Sequence, residues 1–336
     1  MNISYLAHTS IDKEARKAPS MPAPKVNPLP FHPAQLLSWS SGYIAVGIDG
    51  EFLELDLKLQ PKDKVKKPFP CSVQQATLLD NQLIATWVDH ELMLARMASF
   101  ELSNPFSNGP ERGELRTRTS IDAALHPADA TWSHVLDAEP LTLCSSDDQF
   151  VFILWKKGIY AMGKDTGEDW RKPEPSWPEI EKLPHAEVII SASIQGQVLH
   201  VWSKGGGHKA YQCKNGELLK SETIEHDGIL ESVYSNHDNH LLCYQSGHVL
   251  WHSPEGIQKS VKLSGPVQHA LWNSDQASWH IGGWREEVQI SLSEHHRSSL
   301  REIPVQIVQH GDSTLLLLND GTFIHSEFPM SWAAEE

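Results

Sequence analysis

The sequence predicts an all-β fold, a seven-bladed β-propeller of four-stranded antiparallel blades. Three observations carry the prediction: short apolar runs without a long helical stripe, a repeat of roughly 40 residues, and a tight turn at one place in every copy. Apolar runs of about 5–7 residues alternate with Gly, Asn and Asp, the pattern of many short strands.

Seven segments share the order strand, polar turn, strand, tight turn, strand. They span residues 36–57, 76–97, 141–162, 188–213, 232–253, 269–292 and 306–327. Their tight turns are Asp49-Gly50, Asp89-His90, Lys157-Gly158, Lys204-Gly205, Ser246-Gly247, Trp284-Arg285 and Asp320-Gly321. Most hold a Gly or Asp, which supplies the positive φ that a short hairpin needs. Successive turns lie 40, 68, 47, 42, 38 and 36 residues apart, and the long gap marks an insertion over residues 103–138. Each unit leaves room for a fourth strand, which is the size of a propeller blade.

The elements are taken in chain order. Residues 2–8, "NISYLAH", read as a strand without a blade of its own. They are expected to supply the outer strand of the last copy, because an open ring would expose two sheet edges. Residues 9–33 form a Pro-rich loop. Near the end of the middle strands stand Trp87, Trp155, Trp202 and Tyr244, with Gly47 and Leu318 in two other copies. A bulky ring at one repeated place is expected to pack between neighbouring sheets. That would place most of the twelve tryptophans in the core.

The third copy ends in "GIYAMGKDTGEDW" (158–170). Its Tyr160, Ala161, Asp165, Thr166, Gly167 and Trp170 resemble the repeat of quinoprotein-dehydrogenase-like propellers, within the wider superfamily that includes WD40-like propellers. Weaker echoes are "YQCKNGELL" (211–219) and "LWHSPEGIQ" (250–258). The resemblance implies that Trp170 docks between blades and that the chain serves as a binding scaffold. It does not imply quinone chemistry. Quinone-dependent alcohol dehydrogenases are longer and eight-bladed, and nothing here matches their calcium ligands or catalytic aspartate. No cofactor is expected.

Composition narrows the function. The chain of 336 residues has 28 Lys plus Arg against 43 Asp plus Glu, a net charge of −15. That balance argues against non-specific nucleic-acid binding. No apolar run approaches the length of a membrane span. The first residues lack a leader-like apolar core, so a cytoplasmic location is expected. Cys71, Cys144, Cys213 and Cys243 are scattered and read as free thiols.

Catalytic motifs do not emerge. "KGGGHK" (204–209) sits at a hairpin tip with no helix after it, unlike a phosphate loop. Asp147 and Asp148 are adjacent in a turn, which does not make an acid–base pair. His237, Asp238 and His240, and Glu294, His295 and His296, lie in two loops on one face of neighbouring copies. Imidazole and carboxylate there could hold a divalent metal, but their spacing matches no metal-ligand signature, and they read first as solvated turns. The expected function is a protein-interaction scaffold whose partner is another protein or a multi-protein complex. Its contacts are expected on long loops of the opposite face: residues 9–33, residues 103–138 with Arg112, Arg116 and Arg118, and residues 172–184 with Trp177. The alternative is a propeller enzyme of hydrolase or lactonase type, with its site at the channel mouth.

Overall fold

The computed structural model describes residues 26–117, 125–225 and 228–330. Seven antiparallel sheets succeed one another along the chain. Blade 1 holds β1 (Pro33–Trp39), β2 (Gly42–Gly47) and β3 (Phe52–Leu55). Blade 2 holds β4 (Val73–Leu79), β5 (Gln82–Asp89), β6 (Leu94–Glu101) and β7 (Trp132–Val135). Blade 3 holds β8 (Pro140–Ser145), β9 (Gln149–Leu154), β10 (Gly158–Gly163) and β11 (Glu168–Lys172). Blade 4 holds β12 (Ile189–Gln195), β13 (Val198–Ser203), β14 (Gly207–Gln212) and β15 (Leu218–Thr223). Blade 5 holds β16 (Leu230–Asn236), β17 (Asn239–Tyr244), β18 (His248–Ser253) and β19 (Gly256–Lys262). Blade 6 holds β20 (His269–Asn273), β21 (Ser278–Gly283), β22 (Glu286–Ile290) and β23 (His295–Ser299). Blade 7 holds β24 (Pro304–His310), β25 (Ser313–Leu318) and β26 (Phe323–His325).

The first strand of each blade packs against the first strand of the next, and β24 returns to β1. The chain is a seven-bladed β-propeller. Its core is not one mass but seven apolar clusters, one in each gap between neighbouring blades. Side-chain hydrogen bonds to backbone tie the inner strands across several gaps. Gln306 bonds both the N–H and the carbonyl of Leu36, at 2.7 Å each, and Ser191 Oγ donates to the Val233 carbonyl at 2.8 Å.

The expected three-strand units coincide with the first three strands of each blade. The hairpin between strands two and three turns on a positive-φ glycine in four blades: Gly50, Gly206, Gly247 and Gly321, at φ 83 to 90°. Backbone crosses close over the turns at Gly50, Gly247 and Gly321, from the end of the same blade in the first two and from Leu29 in the third. A Cβ on Gly50 would stand 2.2 Å from the Cys71 carbonyl oxygen, and one on Gly247 2.5 Å from that of Gly265. The aromatic column is corrected by this register. The turn glycine of blade 4 is Gly206 rather than Gly205, and Gly158 is already the first residue of β10. The residues paired with the start of the inner strands are therefore Gly47, Trp87, Leu154, Ser203, Tyr244 and Leu318. Trp155 falls one place beyond the column and is exposed; Trp202 falls one place before it and is buried against blade 5. Most of the described tryptophans are still core: Trp87, Trp170, Trp177, Trp202, Trp251 and Trp279 are buried.

Blade 1 lacks a regular outer strand. Residues 56–66 meet β3 at the isolated bridges Phe52↔Lys66 and Leu55↔Pro61, and Lys62 pairs with Glu54 at 2.6 Å. Pro61 has no N–H to give a ladder, and the lysines around it keep this edge from templating another strand. The expected closing strand at residues 2–8 lies outside the described residues. Within them, Leu29 is buried in the cluster between blades 7 and 1, and its N–H donates to the Gly321 carbonyl at 2.9 Å.

Candidate functional site

The loops after strands two and four of each blade share one face, because the strands alternate in direction. Among the described residues that face carries half of the exposed large hydrophobic side chains: Ile48, Met93, Trp155, Leu183, Ile229 and Trp284. Four of these stand at strand-two to strand-three hairpins. They come from several blades, and singly exposed apolar side chains are ordinary; the two brought together are Met93 and Trp155. Between blades 2 and 3 the face sinks into a groove of about 510 Å³, lined by Val88, Met93, Leu94, Ala95, Leu136 and Trp155 among others. Met93 is 91% exposed and Trp155 46% exposed. Lys156 lies over the Trp155 ring at 4.7 Å, and Lys157 bridges to Asp137 at 2.7 Å on the groove wall.

The inserted segment departs from expectation in its position. β7 within it pairs with β6 as the outer strand of blade 2, so residues 102–131 join strands three and four and leave from the opposite face. The segment then climbs the flank. Phe106 packs edge-on to Phe52 and Phe100 between blades 1 and 2. Above it, the short helix α1 (Arg112–Thr117) meets the β5–β6 hairpin. There Arg112 bridges the buried Asp89 and exposed Glu91, at 2.8 Å each, and Arg116 bridges Glu91 at 2.8 Å. Arg112 and Arg116 thus anchor their own segment. Arg118 lies outside the described residues. Trp177 is a correction: it is 1% exposed, its indole N–H donates to the His208 carbonyl at 3.3 Å, and its ring packs in the cluster between blades 3 and 4. A side chain so buried has no surface left for a partner. Trp170 does dock between blades, donating to the Cys213 carbonyl of blade 4 at 2.6 Å.

A second cluster lies inside the ring, between blades 4 and 5. His200 on β13, His208 on β14 and His240 on β17 are each at most 3% exposed. One ring nitrogen of each lies within 4.8 Å of one on both others. His200 Nδ1 and His208 Nε2 are hydrogen-bonded at 3.0 Å. His208 Nδ1 donates to Glu222 Oε1 at 2.8 Å, and His240 Nδ1 pairs with Ser235 Oγ at 2.9 Å. Trp202 stacks flat on His208, with ring centres 4.0 Å apart. Burial, then the neighbouring His208, pushes His200 down to about 4. Burial and the other imidazoles push His240 down to about 2. Burial also lowers His208, outweighing the upward pull of Glu222. The hydrogen bond from His208, helped by Lys220, holds Glu222 at about 2. The cluster is therefore three neutral imidazoles beside an ionised carboxylate.

Of the histidines singled out in sequence, only His240 belongs here. His237 is exposed in its turn, and His295 and His296 stand exposed on β23 of the next blade. His240 points the other way, towards blade 4. Sequence reasoning missed His200 and His208. The signal was available: Trp202 pairs directly with His208, so His200, two residues earlier, shares its face.

No protein-family model matches the chain, and no curated protein matches it in sequence. Solved structures do match in fold. The β-propeller domain of Cps50 (Swd1) from Myceliophthora thermophila superposes with a TM-score of 0.60 at 11% identity, over 90% of this chain and 98% of that one. The computationally designed Ika8 protein gives 0.56 at 10% identity, over 89% and 97%. BamB from Moraxella catarrhalis gives 0.55 at 8% identity, over 91% and 98%. These likenesses are of architecture. Among the described residues no helix is long and apolar enough to cross a membrane.

Proposed function

We propose that this propeller is a non-catalytic protein-interaction scaffold, working through the face that carries the strand-two to strand-three hairpins. The observation that supports it is the set of exposed apolar side chains there, with Met93 and Trp155 beside a groove between blades 2 and 3. The occupant that fits is a partner segment with one apolar anchor side chain. The net charge of −15 favours a partner that is basic around that anchor. A buried aromatic or aliphatic anchor of this kind carries most of the energy of such contacts.

The test is quantitative capture from native lysate with the intact chain as bait. Met93→Asp/Trp155→Asp alters the groove, and Leu57→Asp/Leu292→Asp alters exposed apolar residues of the opposite face. A stoichiometric partner lost only with the first pair supports the reading. Equal recovery with both pairs overturns it. Point changes are preferable to deleting residues 104–136, because that deletion would also remove β7.

A further inference from the structure

We propose that His200, His208 and His240 form a binding site for one divalent transition-metal ion of the zinc class. The inference is independent of the face reading, since the cluster lies between blades rather than on the hairpin tips.

The first argument is register. The hairpin pairing lets the place of His200 on strand two and that of His208 on strand three be compared in every blade. They are held by Ile44 and Phe52 in blade 1, Ile84 and Met97 in blade 2, Val151 and Ile159 in blade 3, Leu241 and Val249 in blade 5, and Leu315 and Phe323 in blade 7. These are gap-filling apolar positions. Polar side chains there lose hydration and must recover it from partners. Blade 6 is the other exception, with His280 and Glu287. That pair meets directly: His280 Nε2 lies 2.6 Å from Glu287 Oε1, and the same carboxylate accepts from Ser326 Oγ and the Glu327 N–H, while the buried His280 Nδ1 has no hydrogen-bond partner. The gap between blades 4 and 5 places imidazoles on one another instead, with its carboxylate on the far side of His208.

The second argument is donor chemistry. Neutral imidazole nitrogens are good ligands for Zn²⁺, Co²⁺, Ni²⁺ and Cu²⁺. His208 Nδ1–H is committed to Glu222, which leaves the Nε2 lone pair facing His200. This carboxylate–histidine contact is the arrangement that orients metal-bound histidines and raises their basicity. With His240 Nδ1–H given to Ser235, its Nε2 is likewise a free donor. Two nitrogens on one tetrahedral Zn²⁺ stand roughly 3.3 Å apart. The His200–His208 separation of 3.0 Å and the 4.8 Å bound on the others differ from that by amounts that ring rotation covers. His200 Nδ1 must exchange its hydrogen bond to His208 for a metal bond, its proton moving to Nε2. The three rings remain neutral, so no net proton is released. Three protein ligands leave one position for water or an anion.

The test loads the full chain, stripped with chelator, with Co²⁺ and then Zn²⁺. Loading is done both on the folded chain and during refolding from urea, since the site is buried. One Co²⁺ per chain is expected, with visible absorption of a tetrahedral ion, displacement by Zn²⁺ and a rise in thermal midpoint with metal concentration. His208→Gln and His240→Gln should abolish binding. Glu222→Gln, which touches the ion only through His208, should weaken it about 10–100-fold. His295→Gln/His296→Gln should leave it unchanged. If the histidine variants do not fold, by far-ultraviolet circular dichroism, Ser235→Ala and Glu222→Gln carry the test. Failure to take up stoichiometric Co²⁺ by both routes overturns the proposal. So does binding unaltered by Glu222→Gln and Ser235→Ala, or binding that disappears with the His295/His296 pair.

Discussion

His200 shows most directly how burial changes what a residue can do. It faces His208 across the hairpin and His240 from blade 5, with the charges of Asp238, Lys220 and His237 acting on it from nearby. Beyond His208 and His240 stand Glu222 and His252. Burial favours its neutral form, lowering it from 6.5 to about 4. In the unfolded chain the same imidazole titrates near 6.5, so between these values the unfolded state binds more protons. Stability must therefore rise with pH across that window. No cost falls on the fold above 6.5. A cost of order 3 kcal/mol from this group develops as pH drops to about 4 and is constant below. Metal-free protein should show urea midpoints that fall between pH 6.5 and 4, and the fall should shrink in His200→Gln. A midpoint independent of pH across this range, in a chain that stays folded, would mean the cluster is hydrated.

Elements differ in how local their causes are. The third copy was legible because its turn is self-contained: Asp165 accepts from the Gly167 N–H at 3.1 Å, Thr166 takes φ 64°, and Trp170 comes next on β11. β7 was hidden because "WSHV" is four residues long and its partner β6 lies across a long insertion. Helix α1, too short to stand as an independent helix, is held by its ion pairs and by Leu115, buried in the cluster between blades 1 and 2. Arg112→Ala would leave the Asp89 carboxylate buried with only the Leu92 N–H at 3.0 Å and the weaker Cys71 thiol, 3.8 Å away. Because Arg112 is half exposed, the expected loss is about 1–2 kcal/mol, less than for a fully buried pair. Faster tryptic cleavage within residues 103–131 should accompany a lower urea midpoint. An unchanged midpoint and cleavage rate would mean that Phe106 and Leu115 hold the segment without the ion pair. The burial of Trp177 is illegible in sequence for a related reason. Its flanking prolines mark an irregular segment, but only the packing of blade 3 on blade 4 decides that the indole turns inward.

At the scale of the whole ring, stability depends on closing blade 7 onto blade 1. In three blades the residue just past the outer strand makes the same hydrogen bond. The N–H of Ile224, Leu263 or Leu300 donates to the hairpin carbonyl of Gly206, Gly247 or Arg285 at 2.8 to 3.0 Å. Leu29 makes the equivalent bond to Gly321 at 2.9 Å. It therefore occupies, in blade 7, the place just past a fourth strand, although it reaches blade 7 from the start of the chain. Val26 packs on the same cluster, and His32 Nδ1 meets the Asn319 carbonyl at 2.8 Å. The repeat pattern put the closing strand at residues 2–8, which lie outside the described residues; the Leu29 contact was not read from the sequence, because prolines in this stretch mask any strand signal. Leu29→Ala should cost about 2–4 kcal/mol, as a buried leucine facing a packed gap. Removing residues 1–32 should cost more and make unfolding less cooperative, since β24 to β26 would lose their outer cover. Removing only residues 1–8 separates two ways of closing. A lowered melting temperature would assign them an outer strand, whereas an unchanged one would leave closure to the chain nearer Leu29. If the ring melts unchanged without residues 1–32, closure through Leu29 is wrong and the seam is held by the rest of the cluster between blades 7 and 1, with the Gln306–Leu36 bonds and the Tyr43 hydroxyl on the Gln309 carbonyl.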